Sequence, residues 1–185
     1  DVTTAVRENE ADMSHLTGAN IAYYSPSING FSFGASIGSL AATDDITSFG
    51  AKYSAEMGGV SYSIGYAASE GAANVSANHM GVSVTAGDIT VGIATADNET
   101  STTSKEEVTS YGVTYVMSDA LSLNAGHVNS ENTLASKEMT MTSVGLSYTI
   151  ASGLAAHIAN NSFDYKESSA TVNDGSIMSV MLTLS

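Results

Sequence analysis

The sequence is poor in several residue types whose absence narrows its class. Its 185 residues include no Cys, no Trp and one Pro, and 5 basic residues stand against 19 acidic ones, a formal net charge of −14. Without Cys there is no disulfide, no Cys-ligated zinc and no thiol chemistry. So few basic residues argue against nucleic-acid binding, because that affinity depends on Lys and Arg neutralising phosphates. No run approaches the roughly 20 apolar residues that a transmembrane helix needs.

What the sequence has instead is alternation with a period of two. From Phe49 to Met57, the residues Phe, Ala, Tyr, Ala and Met alternate with Gly, Lys, Ser and Glu. The same alternation recurs in segments 60–66, 80–84, 89–93, 111–117 and 144–150. This period places successive side chains on opposite faces of a sheet. The sequence therefore predicts an all-β protein.

Turn signals divide the chain into eleven predicted strands. Short turns fall at 27–30, 58–59, 87–88, 118–119 and 152–153. Longer polar and acidic loops are expected at 41–45, 70–74, 97–107, 130–138 and 166–174. Because the two kinds alternate, all the long loops would lie at one end of the sheet, as in outer-membrane barrels. The predicted strands span 20–25, 30–40, 46–57, 60–69, 76–86, 88–97, 107–118, 120–130, 139–150, 153–163 and 175–185.

The two predicted faces differ in chemistry. One is apolar, and the other consists of Ser, Gly, Thr and Ala with a few larger polar residues: Lys52, His79, Asn124, His157 and Asn161. A soluble sheet normally protects its exposed face with Lys and Glu, whereas a wet barrel lumen does not need them. Glycines at 50, 81, 112 and 145 occupy equivalent points and indicate a shared lumen-facing position.

Aromatic residues fall near both predicted strand ends, as in the interfacial girdles of a membrane barrel. Those near the short turns are Tyr24, Phe31, Tyr53, Tyr62, Tyr115 and Tyr148. Those toward the long loops are Phe49, Tyr66, Tyr111, Phe163 and Tyr165. The alternative is that Tyr and Phe are simply good strand formers.

The segment from Ile21 to Ser36 (IAYYSPSINGFSFGAS) resembles the hairpin that follows the constriction loop in general porins of Gram-negative bacteria, especially alphaproteobacterial ones. Segment 8–18 (ENEADMSHLTG) resembles the acidic end of that inward-folded loop. Segments 112–128, 145–161 and 177–185 are similar to the family in pattern. The family usually ends in Phe, which this chain lacks.

The resemblance implies a transmembrane antiparallel β-barrel, an up-and-down meander of sixteen strands when complete. Eleven strands normally follow the constriction loop in that family. Residues 1–18 are then expected to be the tail of the loop and residues 19–185 the C-terminal strands of one barrel domain. About five N-terminal strands and the start of the loop would lie outside this sequence.

The implied function is a general diffusion porin of the bacterial outer membrane, a channel for ions and small hydrophilic solutes without catalysis. Candidate constriction residues are Arg7, Glu8, Glu10 and Asp12 from the loop and Lys52, His79 and His157 from the wall. The family usually has a basic cluster opposite the acidic loop. Here Arg7 is the sole Arg, and Lys52 is the sole Lys inside a predicted strand. We therefore expect a preference for cations.

The expected partners are solutes, ions and outer-membrane lipid, with no nucleic acid, and a homotrimer is implied by the family. No cofactor is expected, although the acidic segments 44–45 and 97–99 could bind calcium weakly. The alternative function is a secreted or surface-attached β-rich structural protein or adhesin. An enzyme is a weaker reading, because the four His lack metal-ligand spacing and no nucleophile elbow is present.

Overall fold

The computed structural model describes residues 20–41, 44–71, 75–101 and 104–184, which form one antiparallel sheet. Among these residues no helix has the length and hydropathy to cross a membrane. Each strand pairs with the next one in the chain, so the sheet is an up-and-down meander with β1 and β11 at its edges. The strands are β1 (Asn20–Tyr24), β2 (Phe31–Ala41), β3 (Asp44–Met57), β4 (Val60–Glu70), β5 (Ser76–Ala86), β6 (Ile89–Ser101), β7 (Ser104–Ser118), β8 (Leu121–Asn132), β9 (Lys137–Ala151), β10 (Leu154–Glu167) and β11 (Ala170–Leu184).

All eleven predicted strands are confirmed, and so are the short turns at one end of the sheet, which we call the turn end. Asn29 and Gly30 both have positive φ, 50° and 83°, and Ile28 bridges Phe31 across them. This is the backbone that an Asn-Gly pair favours in a tight hairpin. Glycines with positive φ also occupy the turns after β3, β5 and β9.

The prediction of long loops at the opposite end is wrong for three connections. Strand β7 begins at Ser104, three residues before its predicted start. Strand β8 continues to Asn132 and β9 begins at Lys137, while β10 continues to Glu167 and β11 begins at Ala170. Acidic residues of the expected loops are paired in the ladder, for example Asp97 with Glu107. Backbone pairing continues beyond the apolar residues because the ladder does not depend on side-chain hydrophobicity. The acids and lysines therefore stand on extended strand ends, which we call the charged end.

Cross-strand pairing gives each face a continuous row of side chains, because directly opposite residues point to the same side. The apolar face carries the row Phe31, Tyr53, Ile64, Val82, Ile93 and Tyr111 across β2–β7. The other face, which we call the small-residue face, carries the row Ser32, Lys52, Gly65, Gly81, Ala94 and Ser110 across the same strands.

The sheet has almost no hydrophobic core. Among the described residues Ala94 is the one buried hydrophobic residue, whereas Ile93 beside it is 49% exposed and Val180 is 66% exposed. Water-exposed apolar surface of this extent is unusual for a soluble protein, in which such patches mark sites of association. The apolar face therefore requires a covering apolar phase.

Eight of the eleven aromatic residues assigned to the predicted girdles lie on the apolar face by their pairing: Phe31, Phe49, Tyr53, Tyr62, Tyr66, Tyr111, Tyr115 and Tyr148. The prediction is wrong for Tyr24, Phe163 and Tyr165. Tyr24 pairs with Gly34, Phe163 with Gly175 and Tyr165 with Met139, all on the small-residue face. The face on which each of these side chains lies is determined by the residue paired with it on the neighbouring strand, not by its distance from a turn.

Gly30 offers a direct test of how tightly the first hairpin packs against β3. A Cβ on Gly30 would lie 1.9 Å from the backbone oxygen of Ser54, whereas a Cβ on Gly59, with nearly the same φ of 79°, would meet nothing within 4 Å. Both Gly→Ala variants suffer a left-handed backbone cost of about 1–2 kcal/mol. We expect Gly30→Ala to lose roughly 3 kcal/mol or more, because the Ser54 carbonyl must also move.

The measurement is the urea midpoint of the folded protein at fixed detergent concentration, with Gly59→Ala as the matched control. Equal midpoints for the two variants would contradict the packing of Gly30 against β3.

Candidate functional site

Three of the seven predicted site residues lie within the described structure, all on the small-residue face. Lys52 stands on β3, His79 on β5 and His157 on β10, and each is half-buried. Arg7, Glu8, Glu10 and Asp12 lie outside the described residues. The prediction that these three wall residues share one face is therefore confirmed.

Lys52 and His79 lie in the same region of the face. Lys52 is opposite Ser32 and Gly65, and His79 is opposite Ala67 and Ala96. The two basic side chains are two strands apart and in adjacent rows, about 10 Å across the strands. The residues paired with both are small, so the two basic side chains are the largest polar groups in this region of the face.

His157 belongs to a different region. In the row of Lys52 the residue on β10 is Phe163, six positions from His157 toward the charged end. At about 3.3 Å per residue His157 therefore lies some 20 Å closer to the turn end. The sheet brings Lys52 and His79 together but does not bring His157 to them.

The imidazole of His157 bridges three strands. Its Nδ1 lies 2.9 Å from Ser147 Oγ on β9, and its Nε2 lies 3.1 Å from Thr183 Oγ1 on β11. Each hydroxyl can donate or accept, so a neutral ring is satisfied at both nitrogens. Both ring nitrogens face hydroxyls, whereas the histidine of a hydrolytic triad is oriented by a carboxylate. The geometry is that of a polar wall residue.

The four repeated glycines also lie on the small-residue face, as predicted. Gly50 is opposite Gly34, Gly81 is opposite Gly65, and Gly112 is opposite Gly126. The fourth, Gly145, is opposite Ala159. Because glycine has no side chain, the middle of this face lies close to the backbone, and the few larger side chains project beyond it.

Sequence reasoning missed a charged network at the ends of β7–β10, because it assigned these residues to loops. On the small-residue face Lys137 lies 3.4 Å from Glu167, which also accepts a hydrogen bond from Tyr165 Oη at 2.7 Å. Glu106 accepts a hydrogen bond from Ser130 Oγ on the same face. All four described lysines are thus in strands, not Lys52 alone.

Lys137 and Glu167 flank the connections at the charged end, beyond the apolar residues of their strands. Hydrogen bonds from Tyr165 and Lys137 lower the pKa of Glu167, and the hydrogen bond to Glu167 raises the pKa of Lys137. Glu167 and Lys137 are therefore both ionised at neutral pH, and their charges cancel locally.

Ion pairs also stand on the apolar-face side of these strand ends. Lys105 lies 2.7 Å from Glu107, and Lys166 lies 3.5 Å from Glu138. Exposed pairs of this kind add little stability. They keep the charged end well hydrated on both sides of the sheet.

The weak calcium expectation finds no support in the part of the chain that the structure describes, where no three acidic or His side chains are grouped to hold a metal. Asp97 and Glu99 lie on one face of β6 and Asn98 on the other, and Glu99 is opposite Lys105. Alternation along the strand therefore keeps Asn98 away from the two carboxylates, and Lys105 opposite Glu99 opposes a cation there.

Among the described histidines, His127 was not a predicted site residue, and it lies on the opposite face from His79 and His157. It lies on the apolar face, where its ring stacks on Tyr111 with centroids 5.2 Å apart and its Nδ1 lies 2.8 Å from Thr142 Oγ1. Its position at the polar margin of the apolar face is typical of an interfacial residue.

Comparison with solved structures gives the architecture to which this sheet belongs. The fold is similar to OccAB4 of Acinetobacter baumannii (TM-score 0.72, 10% identity, 89% of this chain and 52% of that one). It is also similar to OpdL of Pseudomonas aeruginosa (TM-score 0.70, 13% identity, 94% and 62%). A third similar structure is OmpT, an outer membrane protein of Vibrio cholerae (TM-score 0.60, 18% identity, 96% and 70%).

At these identities the likeness is one of fold, and the chain spans about half to two thirds of the first two structures. It is the fold of a transmembrane β-barrel, whose lipid-facing side chains are apolar and whose lumen-facing ones are polar. The apolar face is therefore the outer surface and the small-residue face lines the lumen.

Sequence comparison is more specific about the family. No curated protein matches the chain. The profile of the Gram-negative porins matches residues 3–168, which is most of the sequence. The chain is an outer-membrane protein that belongs to the Gram-negative porin family.

Proposed function

We propose that the chain forms the larger part of the wall of an aqueous channel through which ions and small hydrophilic solutes diffuse. The observation that carries the proposal is the contrast between the two faces of the same strands. Ile93 and Tyr111 on one face are large apolar side chains that are 49% and 52% exposed, whereas the paired residues Gly81, Ala94 and Ser110 on the other face are small or carry a hydroxyl. One face suits lipid and the other suits water.

We also propose that the complete barrel has sixteen strands, of which the chain supplies the last eleven. Residues 1–18 would then be the tail of an inward-folded constriction loop. In this arrangement Arg7, Glu8, Glu10 and Asp12 face the wall region of Lys52 and His79 across the narrowest part of the channel. The low wall of glycines and alanines around Lys52 and His79 supports this placement, because a loop inside the barrel needs space.

Neither catalysis nor an adhesive function is part of the proposal. Family membership favours a channel over a surface adhesin, and the hydroxyl partners of His157 favour a polar wall over a hydrolytic site. We propose a homotrimer as the assembly, since OmpT of Vibrio cholerae has been solved in a trimer form. Heat-sensitive gel mobility and cross-linking of the folded protein in detergent test that assembly.

The channel itself is tested in planar lipid bilayers with the intact porin. We expect discrete current steps whose conductance rises nearly in proportion to KCl concentration, because ions cross a wide, hydrated pore without obligatory binding. Heat-denatured protein is the control. Folded, membrane-inserted protein that carries no current would contradict the proposal.

We also predict that the channel prefers cations, because the chain carries a net charge of −14 and Glu106, which accepts a hydrogen bond from a hydroxyl, faces the lumen. Glu106→Gln should lower the K⁺/Cl⁻ permeability ratio roughly twofold, since one wall charge at partly screened range is removed. The matched control is Glu131→Gln on β8, in the next row at the same end but on the outer face.

The measurement is the reversal potential in a tenfold KCl gradient. The control should change it little, because its charge is separated from the lumen by the wall. Anion preference in the unmodified channel, or equal effects of the two variants, would contradict the proposed role of the lumen charge.

A further inference from the structure

The two faces of the barrel wall exchange their chemistry over part of β8–β10. The row on the lumen side contains Val128, Met141 and Phe163, which are directly paired across the three strands. The adjacent row on the outer side contains His127, Thr142 and Ser162. Apolar side chains therefore face the lumen at a level where polar ones face outward, the reverse of the pattern on β2–β6.

These lumen residues belong to a larger group that we call the inner apolar patch. It occupies two neighbouring rows across four strands, about 14 Å wide and one row spacing of about 7 Å high. Met139 is 44% exposed and the others are half-buried, so the patch is open to the lumen. Its members are Val108, Val128, Met139, Met141, Phe163 and Tyr165.

Phe163 is held close to the wall. It is opposite Gly175 on β11, and a Cβ at Gly175 would lie 3.1 Å from the ring's Cζ and 3.2 Å from its Cε1. Because glycine has no side chain, the ring can lie over the backbone of β11 and present a face to the lumen. Toward the turn end, Gly112, Gly126 and Ser143 form a low surface beside the patch.

The polar groups that border the patch at the charged end are not equivalent. Glu167 is paired with Lys137 at 3.4 Å, so its charge is balanced. Glu106 stands two residues beyond Val108 on β7 and accepts a hydrogen bond from the neutral Ser130 hydroxyl. The border nearest to Val108 and Val128 is therefore negative, whereas the border nearest to Phe163 is balanced.

We propose that the inner apolar patch is a binding site for amphiphilic organic cations that enter the lumen. The apolar body lies against Met141, Phe163 and Val128, and the ammonium group lies toward Glu106. The affinity of a solute for an apolar wall rises about fourfold for each of its methylene groups that becomes fully buried against that wall. The negative border selects cations over anions of the same shape. This inference rests on the proposed channel function, because it requires the patch to face a water-filled lumen.

The experiment uses the intact porin in planar bilayers, with benzyltrimethylammonium and tetramethylammonium as the probes. Both carry one positive charge, but the second lacks the apolar body. We expect benzyltrimethylammonium to reduce the KCl current with a half-blocking concentration about tenfold below that of tetramethylammonium. Benzenesulfonate, an anion with the same ring, should block poorly.

Variants assign the block to the patch. Met141→Ser with Phe163→Ser should bring the two cations to similar half-blocking concentrations. Met181→Ser is the matched control, because Met181 is an exposed methionine of the lumen face beside His157, away from the patch. Glu106→Gln should weaken the block by both cations to a similar degree.

A second measurement does not depend on the double variant folding. This chain contains no Trp, so Phe163→Trp adds a reporter whose emission is read as the difference from the unsubstituted porin. Its emission should shift to shorter wavelength on addition of benzyltrimethylammonium but not of tetramethylammonium. Trp at position 181 (Met181→Trp) should respond to neither.

The outcomes separate the inference from the function on which it rests. A conducting channel that benzyltrimethylammonium and tetramethylammonium block equally would overturn the binding site and leave the channel standing. Emission at position 163 that is blue-shifted and shielded from acrylamide before any probe is added would also overturn it, since the patch would then be covered by protein. Absence of any current would refute the channel itself.

Discussion

The structure depends on a continuous ladder of backbone hydrogen bonds that joins every described strand to its neighbours. No large side chain is fully buried among the described residues, so packing of a hydrophobic core cannot be what holds the sheet together. A single backbone hydrogen bond contributes little net stability in water. In an apolar phase an unpaired N–H or C=O costs several kcal/mol, which makes the ladder obligatory. The strands can cross the membrane because the backbone N–H and C=O groups of each strand are hydrogen-bonded to those of its neighbours.

The ladder also determines what each face can do. Because opposite residues share a side, one register places Lys52, Gly65, Gly81 and Ala94 in a single row facing the lumen. The same register sends Ile64 and Val82 to the lipid. The ladder continues past the apolar residues into the acidic strand ends, so charge surrounds the mouth as part of the wall. The register of the paired strands, rather than the conformation of loops, therefore determines where charged and apolar side chains lie in the lumen.

Alternation and turn chemistry were sufficient to predict the strands, their order and their tight turns. Asn29-Gly30 and Gly58-Gly59 carry the positive φ that such turns require. The charged strand ends could not be predicted in this way, because a polar segment has no hydrophobic period by which a strand is recognised. Segment 97–107 therefore read as a loop, although Asp97 and Glu107 are paired.

The site was predicted in part. The common face of Lys52, His79 and His157 follows from parity, but the distance of His157 from the other two depends on a register that only the pairing supplies. The inner apolar patch has a signal in the sequence of β9, where Met139 and Met141 have the opposite parity to Val144 and Leu146. That change of parity within one strand places the methionines in the lumen.

The central claim is that one face meets water and the other meets lipid. Because this chain contains no Cys, the claim can be tested with cysteines introduced one at a time at positions 108 to 115 of β7 in the membrane-inserted porin, with the unsubstituted porin as the labelling blank. The measurement is the rate of labelling by a membrane-impermeant thiol reagent. The account predicts faster labelling at positions 108, 112 and 114 than at the odd positions, which include Tyr111 and Val113; position 110 is expected to label slowly because Ser110 is 4% exposed. Equal rates along the strand, or the reverse alternation, would contradict it.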